Sequence, residues 1–91
     1  MQIIRGDNYL RSLQKIMDFI AKDSINRAFE FQDSLDKHID FLDDMPYKCR
    51  QSIYFDDVNI RDYIFMGYAI PYKVDKKNNA IKIIGIRKYH N

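Results

Sequence analysis

Cysteine, glycine and proline are all scarce in this 91-residue sequence, and each scarcity removes a class of function. The lone Cys49 has no partner for a disulfide, and it cannot build a cysteine-based metal site within one chain. Gly6, Gly67 and Gly85 stand too far apart to form a loop that cradles phosphate. His38 and His90 do not fall at metal-ligand spacing from each other or from the carboxylates, so no metal and no other cofactor is expected. No apolar run approaches the roughly 20 residues of a membrane-spanning helix. The opening Met1-Gln2-Ile3-Ile4-Arg5 passes into Gly6-Asp7-Asn8 without the apolar core of a signal peptide. A cytoplasmic protein without a membrane partner is the expectation. Repeats, low-complexity stretches and linkers are also missing, which predicts one domain over residues 1–91.

What is present is a globular composition, 46% hydrophobic and 14% aromatic, enough to build a core. The net charge of +2 conceals a division. Residues 1–46 hold 6 Lys/Arg and 9 Asp/Glu, a net of −3, whereas residues 47–91 hold 9 and 4, a net of +5. Six of the seven tyrosines also lie in the second half. A basic, aromatic half points to an anionic partner. The plainer reading is that helix surfaces are acidic here and strand surfaces basic.

Periodicity orders the elements. Gln2-Ile3-Ile4-Arg5 is short and β-branched and reads as a strand ended by Gly6-Asp7-Asn8. Leu10, Leu13, Ile16, Met17, Ile20 and Ala21 fall on one helical face, with Asp7 or Asn8 as its cap. Ser24 offers a second cap, after which Ile25, Ala28, Phe29, Leu35, Ile39 and Leu42 trace a longer helix that Asp43-Asp44-Met45-Pro46 stops. So short a connection makes the two helices an antiparallel hairpin, with their aromatic and Met positions in the core. Beyond Pro46 the period shifts to two: a short strand at 52–55, a strand at 60–65, a tight link at Met66-Gly67, and a strand from Tyr68 to Asp75. Pro71 lacks an amide hydrogen and weakens that strand's ladder. Lys76-Lys77-Asn78-Asn79 forms a turn in which asparagine can take left-handed geometry, and 80–86 is the last strand. The predicted class is α+β: an N-terminal strand, a helical hairpin, then a three-stranded antiparallel meander. The helices pack on one face of the sheet and leave the other face free.

The segment "LQKIMDFIAKDSINRAFEFQDSL", the stop "LDDMP", Arg61 entering a strand, and then "GYAIPYKV" and "IKIIGI" together resemble the RelE/ParE superfamily of bacterial toxins from type II toxin–antitoxin modules. The resemblance spans nearly the whole chain and rests on the order and spacing of these elements. It implies a growth-inhibiting, plasmid-stabilising type of toxin held silent by a cognate antitoxin protein. One branch of the superfamily cuts messenger RNA on the ribosome, and the other inhibits DNA gyrase. The cutting branch commonly keeps an arginine after the "GY" of the penultimate strand, and here that residue is Ala69. It also often ends on a Tyr or His, which Tyr89 and His90 match in place, with Arg87 as the late basic residue.

Metal-independent RNA cleavage makes the 2′-hydroxyl attack its own phosphate, which needs a base, a cation at the developing phosphorane and an acid for the leaving oxygen. His90 titrates near neutrality and suits the base or acid. Tyr89 suits base stacking or proton donation, and Arg61 and Arg87 suit bidentate phosphate binding. These four are the catalytic candidates. A terminal His is more often idle, and an Arg61 of purely structural role would pair with Asp62, Asp57 or an acidic helix. Lys48, Arg50, Lys73 and Lys88 are the candidates for contact with nucleic acid or an acidic antitoxin. The function expected first is ribosome-associated mRNA cleavage by an endoribonuclease. The alternatives are a gyrase inhibitor without nuclease activity and a non-toxic module that binds RNA or an acidic peptide.

Overall fold

The computed structural model describes residues 1–89, and the His90 candidate lies outside them. Strand β1 (Gln2–Arg5) leads into helix α1 (Asp7–Ala21), a two-helix hairpin with α2 (Ile25–Asp40), and a short 3-10 turn at Phe41–Asp43. Strands β2 (Ile60–Phe65), β3 (Tyr68–Asp75), β4 (Ala80–Ile83) and β5 (Arg87–Lys88) follow. The sheet runs β1-β4-β3-β2, antiparallel except that β1 pairs parallel with β4, and β5 pairs with β3. The α+β arrangement expected from the sequence is the one observed. The chain's first strand joins the meander at its edge.

Local chemistry explains the boundaries. The Ser24 hydroxyl accepts from the Arg27 amide and caps α2, as its sequence position predicts. The predicted cap of α1 is corrected: neither Asp7 nor Asn8 caps it, and the N-cap is Gly6, which makes no side-chain bond. Gly6 is there for proximity. Its amide donates to the Ile83 carbonyl at 2.9 Å, and a Cβ at this position would stand 2.8 Å from the same oxygen. The link between β2 and β3 has positive φ at both Met66 (47°) and Gly67 (81°), the pattern of a two-residue type I′ turn. Asn79 takes φ 51° in the following turn.

The last strand differs from expectation. It is broken after Ile83 and resumes at Arg87. The register shows why: Tyr72 faces Ile83 but Ala69 faces Arg87, so residues 84–86 oppose only Ile70 and Pro71. That is a bulge with one extra residue. Val74 sends its amide to Asn59 on the β2 side, so by alternation the missing amide of Pro71 falls on the β4/β5 side, where the ladder is interrupted. Nor do residues 52–55 form a strand. Pairing there is limited to an isolated bridge between Gln51 and Arg61.

The core lies between the hairpin and one face of the sheet. Tyr9 and Leu13 of α1 and Phe31, Leu35 and Ile39 of α2 meet Ile70, Tyr72, Val74, Ile81 and Ile83. Three expected core positions are corrected, since Leu10 is 46%, Ile25 64% and Phe29 57% exposed, and in α2 Phe31 is buried instead. Phe31 meets Phe65 and Tyr68 edge-on, with ring centroids 5.6 and 5.8 Å away. Phe19 and Phe41 are likewise exposed.

Candidate functional site

Strand parity assigns the candidate side chains to faces. Arg61 is opposite Tyr72 and so belongs to the helix-facing side; Arg87 is opposite Ala69, three residues from Tyr72, and belongs to the other. The two arginines do not share a face. Arg61 donates to the carbonyls of Val58 (3.1 Å) and Cys49 (3.3 Å) and lies 4.9 Å above the Tyr47 ring. It clamps the 49–58 segment through backbone carbonyls rather than through the carboxylates considered for it.

The face away from the helices is only partly open. Ala69 and Pro71, which strand parity places on it, are buried, and segment 50–58 reaches it through the Ile53 amide and Arg50 on Asp62 and through Asp57 on Lys73. Two arginine–tyrosine pairs tie this segment to the C-terminal strand in reciprocal fashion. The Arg87 guanidinium lies 4.2 Å from the centroid of Tyr54, and that of Arg50 lies 4.8 Å from the centroid of Tyr89. Arg50 also donates to the Tyr89 hydroxyl at 3.2 Å and to the Asp62 carboxylate at 3.3 Å. The bond to Tyr89, helped by the charge of Asp62, pushes the Arg50 guanidinium still further above its ordinary range. Lys73 stands farther along this face and pairs with Asp57 at 3.7 Å. Arg87, Tyr89, Arg50 and Lys73 are thus brought to one face.

Lys88 and Lys48 are elsewhere. Lys88 points, with Tyr68 opposite it, to the helix side. There a groove of about 420 Å³ opens between α1 and β5, lined by Ile16, Phe19, Tyr68 and Ile86 and edged by Lys15, Arg87 and Lys88. Lys48 edges a second groove of about 520 Å³, with Phe41, Met45 and Tyr63. Among the described residues, no cluster of His, Cys, Asp and Glu is arranged to hold a metal ion, and no helix is long and apolar enough to cross a membrane.

Sequence reasoning missed Tyr54 and Asp62. Tyr54 sits in a stretch without period, so nothing in its neighbours marks it. Asp62 carried a signal, a carboxylate in the middle of a strand with apolar residues two positions away on either side.

Residues 5–90 match the family described as ParE toxin of type II toxin-antitoxin system, parDE. Among solved structures, one described as "Chromosomal ParDE TA system from P. aeruginosa" superposes with a TM-score of 0.79 at 13% identity, covering 99% of this chain and 97% of the other. At that identity the likeness is one of fold. No curated protein matches the sequence.

Proposed function

The chain belongs to the ParE toxin family of type II toxin–antitoxin systems, and from that membership we propose that it arrests bacterial growth by binding DNA gyrase. It acts in the cytoplasm as a single toxin domain over residues 1–91. The observation that favours gyrase over mRNA cleavage is Ala69. The position where the cutting branch keeps its cation holds an alanine that is 0% exposed and paired in register with Arg87. Removing one preorganised charge from a developing oxyanion costs on the order of 10²–10³ in rate. On this reading Arg87, Tyr89, Arg50 and Tyr54 are contacts with the target, not proton donors and acceptors. Cleavage of ribosome-bound mRNA is the second reading, favoured by the same reciprocal pairs, which put two guanidiniums and two phenol rings on one face.

The silencing partner is an antitoxin whose acidic, amphipathic segment seats in the groove between α1 and β5. The apolar floor of Ile16, Phe19, Tyr68 and Ile86 takes its hydrophobic side chains, and Lys15 and Lys88 meet its carboxylates. Induction of the chain alone in bacteria should stop growth, and co-expression of the small gene beside it should restore growth. Undisturbed growth with soluble, folded protein in the cell would refute the assignment and leave the non-toxic binding module.

A further inference from the structure

Asp62 is 2% exposed, in the middle of β2, on the face away from the helices. Burying a carboxylate is unfavourable unless partners replace its water. Its partners come from a single short segment. Oδ2 accepts from the Ile53 amide at 3.1 Å and from Arg50 Nη2 at 3.3 Å, while the Asp62 amide donates to the Arg50 carbonyl at 3.1 Å. Oδ1 has no hydrogen-bond partner among the described residues. Asp62 therefore grips Arg50 at both its backbone and its guanidinium. The other guanidinium nitrogen, Nη1, reaches Tyr89, whose own amide closes the sheet on the Gly67 carbonyl at 2.9 Å. Strand β5 has only two residues, so the bonds made by Tyr89 are a large share of what holds it on the sheet.

We propose that Asp62 is a positioning residue: through Arg50 it fixes Tyr89, and with it the end of β5, on the target-facing side of the sheet. A carboxylate that merely pinned the 50–53 segment would need the Ile53 bond and not the charge. Asp62→Asn separates the two roles, because the amide oxygen still accepts from Ile53 while the charge facing Arg50 is gone. The consequence for toxicity rests on the gyrase reading, but the positioning itself does not.

The test is amide hydrogen exchange by NMR on the full chain. In Asp62→Asn the Tyr89 amide should exchange about tenfold faster while the Ile70 and Ile81 amides keep their wild-type rates. Arg50→Gln, at a side chain 37% exposed, should speed Tyr89 by a similar factor. The double variant should be no faster than either single one. If Asp62→Asn fails to fold, the Arg50→Gln result decides. Unchanged Tyr89 exchange in a folded variant, or additive effects in the double variant, would overturn the proposal. In a supercoiling assay Asp62→Asn and Tyr89→Ala should lose inhibition equally and non-additively. A wild-type chain that leaves supercoiling untouched would reject the gyrase reading, and the exchange rates would still judge Asp62.

Discussion

Tyr72 gives the sharpest energetic expectation, because its hydroxyl tests both packing and titration. The side chain is fully buried, and its hydroxyl donates to the Pro46 carbonyl at 2.6 Å, tying the end of the helical region to the middle of β3. Tyr72→Phe removes that bond and leaves the half-buried carbonyl to find water, a loss of about 1–2 kcal/mol at neutral pH. In a chain of this size each kcal/mol moves the melting temperature by about 4–8 °C. Burial, with Cys49 alongside, raises the Tyr72 pKa in the folded chain, whereas an unfolded tyrosine ionises near pH 10. The associated stability is therefore full below about pH 10 and is lost as pH rises towards the folded value. At pH 11 the unfolded wild type has gained about 1.4 kcal/mol from ionisation of this one group, and Tyr72→Phe gains none of it. The gap between the two proteins should close to about zero by pH 11. Tyr9, pushed up to about 12 by burial first and the nearby Asp36 second, titrates in both proteins and cancels from the comparison. Urea unfolding followed by circular dichroism at pH 7, 9 and 11 measures the gap. A difference that stays constant over that range would refute the reasoning.

Other expectations follow from the same structure. Leu35→Ala, at a fully buried position between α2 and the sheet, should cost about 2–5 kcal/mol and lower the urea midpoint accordingly. Met66→Asn should stabilise by about 0.5–1 kcal/mol, since Asn-Gly favours the left-handed turn that Met66 occupies at φ 47°; a lower melting temperature would contradict the turn assignment. Reversing the charges of Lys15 and Lys88 together should weaken an acidic antitoxin peptide about tenfold or more and flatten its salt dependence. Calorimetric affinities that do not move with these changes would take the groove out of the interface.

Much of the fold was legible because local chemistry and tertiary packing agree there. Ser24 caps where a cap is expected, Met66-Gly67 makes the tight turn, and Asn79 takes the left-handed geometry. The inner face of α2 was less readable. Phe29 and Phe31 are both apolar, but helical phase separates them: Phe31 lies three residues after Ala28 and four before Leu35, on the face that meets the rings of Phe65 and Tyr68. The break in the last strand follows from the register of Pro71, which a single-strand pattern does not contain. Register also separates the two arginine candidates. Arg61 and Arg87 read alike as cations on strands, and their partners Tyr72 and Ala69 put them on opposite faces. The pairing of Arg50 with Tyr89 joins residues 39 positions apart through a segment without period, so nothing local announces it.

The most direct test of the account is to give the purified chain two substrates in parallel: gyrase relaxing and supercoiling plasmid DNA, and ribosomes loaded with a defined message. Gyrase supercoiling should be inhibited, the antitoxin should lift the inhibition, and the message should stay intact. Cleavage of the ribosome-bound message with supercoiling unaffected would contradict the account and make the face that carries Arg50, Tyr54, Arg87 and Tyr89 a nuclease site.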